Sequence, residues 1–161
     1  MDDIALETLW SEIRQDCDAA EDAEATAASM WGETGRGRLE ATAHHLMRFY
    51  NIIEQMGVRV AKAFENNIDD EKGWHSELIR RMTLTISGVR PALFSSGLAR
   101  PLQKLRGFRH VLVHAYDLEI DPELLALQLK YAAQVRSTIR DAARSFILSV
   151  ATMHSLTAPT E

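Results

Sequence analysis

The 161 residues carry 23 acidic and 18 basic side chains, a net charge of −5, and 46% of them are apolar and 7% aromatic. This length and apolar content point to one domain with a real core and exclude a disordered tail, while the negative balance argues against blanket binding of nucleic acid. No apolar stretch reaches the roughly 18–20 residues of a membrane span; few prolines and glycines, plentiful Ala and Leu, and short β-branched runs set the expectation of an all-α fold.

The opening stretch, MDDIALETLW, is acidic where a secretory leader would be basic, so a cytoplasmic location is expected. Leu6, Trp10, Ile13, Cys17, Ala20, Ala23 and Ala27 recur every three or four residues against a polar face, which predicts a first amphipathic helix. Cys17 is the sole cysteine and cannot form an internal disulfide. Its acidic neighbours disfavour a thiolate, so it reads as a packing residue. GETGRGR at 32–38 places three glycines in seven residues and breaks the helix. Residues 1–37 are therefore expected to be an acidic helical extension, an appendage or an arm for a partner, and residues 38–155 a helical bundle domain.

Leu39, Leu46, Phe49, Ile53, Met56, Val60 and Phe64 share one stripe of a second helix of about 25 residues, ended by NNIDDEKG. His44 and His45 fall on its adjacent faces, one to be buried and the other exposed. Trp74, Leu78, Met82 and Ile86 define a shorter helix stopped by SGVRP, with Trp74 as a core anchor. FSSGLARPLQKLRGFRHVLVH reads as a fourth helix. Ser95 or Ser96 can cap it, and Pro101 argues that regular structure begins only near the proline. Leu102, Leu105, Phe108, Val111 and Leu112 are expected in the core. YDLEIDPE is a turn, and Asp121 followed by Pro122 is a helix start. The last helix offers Leu124, Leu125, Leu127, Ala132, Val135, Ile139, Ala143, Phe146 and Val150 to the core. Long amphipathic helices with short connections make an up-and-down bundle of four to five helices.

Charge is unevenly spread. Residues 1–77 hold 17 acids and 7 bases, whereas residues 78–116 hold no acid and seven bases: Arg80, Arg81, Arg90, Arg100, Lys104, Arg106 and Arg109. Such a segment can form a local positive surface for a polyanion. Arg100, Lys104 and Arg106 are candidates to track an RNA backbone, unless they are simply solvated or are masked by the acid-rich DCDAAEDAE at 16–24.

RHVLVHAYD at 109–117 concentrates the reactive groups. Arg109 and His114 are five apart, about 140° on a helical wheel, so they cannot share one narrow stripe. Arg109, His110, Val113 and His114 would form an edge or second face better suited to a groove or subunit interface than to an intramolecular core. Histidine, with a reference pKa near 6.5, can act as a general base or acid, and arginine holds phosphate with paired hydrogen bonds. Metal-free RNA cleavage needs both functions. By spacing alone, a surface or interface role is the plainer reading.

RHVLVHAY also matches R-x4-H-x-Y, through Arg109, His114 and Tyr116, and here the chain resembles the HEPN-domain ribonuclease toxins of the HepT type. His110 supplies the polar residue usual after the arginine. The resemblance extends through RFYNIIEQMGVRVAKAF and residues 74–121 and covers roughly residues 39–150. It implies a HEPN-type bundle that dimerises through the motif helix, with Arg109 and His114 of both protomers in one cleft. The implied activity is metal-independent endoribonuclease cleavage, with His110 and Tyr116 positioning RNA. The implied partners are RNA, a second copy of the chain, and a minimal nucleotidyltransferase antitoxin that in some such systems adds AMP to the motif tyrosine, here Tyr116. No cofactor, metal or membrane is expected. His110 and His114 have a spacing that can chelate zinc, but nothing nearby completes a ligand set. The rival reading is a non-catalytic bundle that holds and regulates a nucleotidyltransferase or its nucleotide.

Overall fold

Asp2 starts the first helix: its carboxylate accepts the N–H of Ala5 at 2.8 Å and satisfies one of the free donors of the first turn. In the computed structural model, which describes residues 1–65, 74–114 and 119–160, that helix, α1, runs Asp3–Gly32. It is followed by α2 Arg38–Phe64, α3 Trp74–Met82, α4 Ser96–His114 and α5 Pro122–His154, with no strands among the described residues. The architecture is an all-α bundle, as the sequence pattern leads one to expect.

Between α1 and α2 the chain turns through Gly35 (φ 129°) and Gly37 (φ 83°), backbone conformations that a side chain would strain. Arg38 closes the corner. Its guanidinium donates to the carbonyl of Trp31 at 3.0 Å and lies 5.1 Å from the Trp31 ring. The turn lets α1 fold back along α2, and α1 also lies against α5. Leu6, Leu9, Trp10, Ile13, Cys17, Ala20, Ala23 and Ala27 are all buried, so α1 belongs to the common core.

The acids of α1 do not mask the basic fourth helix. Asp16 and Glu12 pair with Arg59, and Asp22 with Arg48, both on α2; Asp18 and Glu21 hold Arg140, and Glu24 faces Arg136, both on α5. The helix packs on α2 and α5 and makes no contact with α4. Beyond α5, Ser155 takes a left-handed conformation and the chain returns to α1. Trp10 Nε1 donates to the Thr160 carbonyl at 3.1 Å, and both the backbone N–H and the hydroxyl of Thr157 donate to Asp3.

Two helices differ from expectation at their ends. The third stops at Met82, one turn before Ile86, because Arg90 intervenes: its guanidinium donates to the carbonyls of Arg81 and Leu84, groups that a longer helix would use internally. Ile86 instead forms an isolated bridge with Arg90. The fourth begins at Ser96, with Pro101 inside it. The Leu98 N–H bonds the Ser95 carbonyl at 3.0 Å to close the first turn, and Pro101 is buried, so its packing offsets the lost helical hydrogen bond. On α5 the Asp121 carboxylate accepts the Glu123 N–H at 2.8 Å, with Pro122 as first residue. No helix among the described residues is long and apolar enough to cross a membrane.

Candidate functional site

The fourth helix is apolar along one side and cationic elsewhere. Leu98, Pro101, Leu102, Leu105 and Phe108 are buried, and Leu112 partly so. Val111, expected inside, is 42% exposed, and Val113 is 58% exposed. Beyond Phe108 the last turn and a half turns both of its valines outward, while Leu112 stays against the core. At the start of α5, Leu124 and Leu127 are exposed as well, and only Leu125 of that leucine group is buried.

Arg109 and Arg106 lie on the flank of α4 that faces α2. Both are half-buried, and the Nε of each is shielded from solvent without a hydrogen-bond partner. Arg109 Nη1 sits 3.9 Å from Oε2 of Glu54, a carboxylate on α2 that is itself buried. The other oxygen of Glu54, Oε1, accepts the hydroxyl of the fully buried Tyr50 at 3.3 Å. Burial, and then the Glu54 carboxylate, push the Tyr50 phenol well above its usual range, while the nearby Arg106 and Arg109 charges act the other way. The phenol therefore stays neutral and donates.

His110 and His114 occupy the exposed face of α4, one turn apart, with ring centroids 4.3 Å apart and planes tilted by 35°. His114 Nδ1 lies 2.8 Å from the His110 carbonyl oxygen. A carbonyl only accepts, so Nδ1 carries the proton there, and in the neutral ring the lone pair is on Nε2. Within one chain the structure places Arg109 in the α2–α4 groove and His114 on the outer face. Arg100 and Lys104 are exposed on the same helix. Tyr116 and Asp117 lie outside the described residues, as do the side chains of Trp74 and His75.

Sequence reasoning missed Tyr50 and Glu54. Their i, i+4 spacing was available, but polar residues on a helix are ordinarily solvated. Only the packing of α4 on α2 puts these two beneath Arg109. His44 is exposed and His45 half-buried, and burial lowers the pKa of His45, with help from His44 and Arg48. A surface groove of about 390 Å³ between α1 and α2 is lined by residues of those helices, including Asp16, His44, Asn51 and Arg59, and by none of the expected site residues. Among the described residues no cluster of three or more His, Cys, Asp or Glu could hold a metal ion.

The described residues form an all-α bundle whose fourth helix turns Arg109 toward α2 and leaves His110 and His114 on its exposed side. A sequence model for HepT-like proteins matches residues 41–150, and the chain belongs to the HepT-like family. The match leaves out α1 and the chain beyond residue 150. No curated protein and no solved structure gives a significant match.

Proposed function

We propose that the protein is a metal-independent endoribonuclease toxin. Arg109 would bind the scissile phosphate and the charge that develops on it, and His114 would take the proton from the ribose 2′-OH or deliver one to the leaving 5′ oxygen. The observation that supports this most is the membership of residues 41–150 in the HepT-like family, within which the sequence carries R-x4-H-x-Y at Arg109, His114 and Tyr116. The geometry is compatible. Arg109 has donors to spare beyond Glu54, and His114 has an accessible Nε2.

One chain keeps these two groups on different sides of α4, and the mechanism calls for both at one phosphate. A homodimer about a two-fold axis would set the outer faces of two α4 helices against each other and bring two arginine–histidine sets to one cleft. Exposed Val111 and Val113 beside the histidines support this arrangement, since aliphatics on an outer face gain from being covered. His110 and Tyr116 would position RNA, and Arg100, Lys104 and Arg106 would follow its backbone. A nucleotidyltransferase antitoxin would neutralise the toxin. AMP on Tyr116 would add bulk and negative charge where phosphates must enter.

Expression in cells tests the proposal. The wild-type chain alone is expected to arrest growth with breakdown of RNA, and Arg109→Ala or His114→Ala to abolish both. A chain harmless on its own, and binding a nucleotidyltransferase equally well with either substitution, would favour the non-catalytic module instead.

A further inference from the structure

Glu54 stands where helix α2 is otherwise packed: Tyr50, Ile53, Met56, Gly57 and Val58 around it are all buried. A carboxylate is costly in such a place and is retained when partners compensate it. Both of its oxygens face such partners. Oε1 accepts the Tyr50 hydroxyl, and Oε2 faces Arg109 Nη1. The Arg109 Nε is enclosed without a partner, so the stem of the side chain is confined between α2 and α4, and its end lies 3.9 Å from Glu54, within ion-pair reach.

We infer that Glu54, fixed in its rotamer by the Tyr50 hydroxyl, is a positioning residue that aims the Arg109 guanidinium, leaving its remaining N–H donors free for a phosphate. A guanidinium offers five donors in a rigid plane, so holding one edge sets the direction of the others. An arginine fixed in advance loses little rotamer freedom when the transition state forms. The inference rests on the reading of Arg109 as the phosphate ligand. It assigns the buried Tyr50–Glu54 pair a role in cleavage that stability alone would not require.

The charge of Glu54 supplies the discriminating sign. It opposes the attraction of RNA to the site, so Glu54→Gln removes a repulsion and releases Arg109 at once. In steady-state RNA cleavage by the folded variant, kcat is expected to fall on the order of 10–100-fold, with KM unchanged or lower. Glu54→Asp should recover part of kcat, Tyr50→Phe should lower it several-fold, and Glu54→Gln should add no further loss in an Arg109→Lys background. Unchanged kcat in both Glu54→Gln and Tyr50→Phe would overturn the inference, as would a Glu54→Gln loss of equal size in the Arg109→Lys background. If Glu54→Gln fails to fold, Tyr50→Phe, which removes only the hydrogen bond, decides. If the wild-type chain cleaves no RNA, the nuclease reading has failed and NMR of the Arg109 Nε–H judges the positioning by itself. A signal protected from solvent exchange in wild type and lost in Tyr50→Phe and Glu54→Gln supports it; one unaffected in both refutes it.

Discussion

Arg90 is wholly buried, and its Nε and Nη2 both donate to Oε1 of Glu65, at 3.0 and 2.7 Å. The same guanidinium reaches the carbonyls of Arg81, Leu84 and Pro91, and Arg81 pairs with the other oxygen of Glu65. One cation thus ties the end of α2 to the end of α3 and to the segment that leads into α4. Removing one partner of a buried ion pair leaves the other uncompensated. Arg90→Ala is therefore expected to lower stability by about 3–5 kcal/mol. Urea denaturation measures this; a loss under ~1 kcal/mol would show that the pair does not hold the joint.

Helix α1 is held in two ways that differ in strength. Its pairs with Arg140 and Arg59 are partly exposed, and pairs of that kind contribute ~0.2–1 kcal/mol. Its apolar stripe is enclosed. Ile13→Ala is expected to cost about 2–5 kcal/mol, whereas Glu21→Gln should cost under ~1 kcal/mol, both read from chemical denaturation. The reverse order would mean that charge, and not burial, docks α1.

Cys17 is fully buried, and burial pushes its thiol up to about 12, with the nearby carboxylates adding to the rise and Arg140 opposing it. The thiolate is therefore scarce in the folded protein far above neutral pH, and the group is closed to reagents. Ellman's reagent at pH 8 should find no reactive thiol in the native protein and one per chain in denaturant. Fast labelling of the folded chain would contradict this packing.

Val113, the more exposed of the two valines near the histidines, lies on the face proposed to meet a second copy. Val113→Asp should weaken dimerisation by at least tenfold, read by light scattering across a dilution series, and leave the fold intact by circular dichroism. A wild-type chain monomeric at every concentration would remove the composite cleft.

The parts of the fold legible in the sequence are those governed by local chemistry. Gly35 and Gly37 break the first helix where the chain must turn, and Asp121 with Pro122 starts the last one; both signals depend only on neighbours in sequence. Periodicity likewise placed Ile13, Phe49, Leu105 and Ile139 inside. It misled at Val111, Leu124 and Leu127, because a helical wheel does not reveal that α4 and α5 carry no described covering there. The early end of α3 depends on a guanidinium that reaches it from outside the helix. The site was half legible. Arg109 and His114 lie close enough in sequence to be noticed together, whereas Glu54 meets Arg109 across 55 positions, through packing alone.

The most direct measurement of the central claim is the fate of a defined RNA incubated with purified protein in EDTA. The account predicts fragments ending in 2′,3′-cyclic phosphate, the mark of attack by the 2′-OH, and their loss in both Arg109→Ala and His114→Ala. No cleavage by the wild-type chain, or cleavage of equal rate by the two variants, would contradict it.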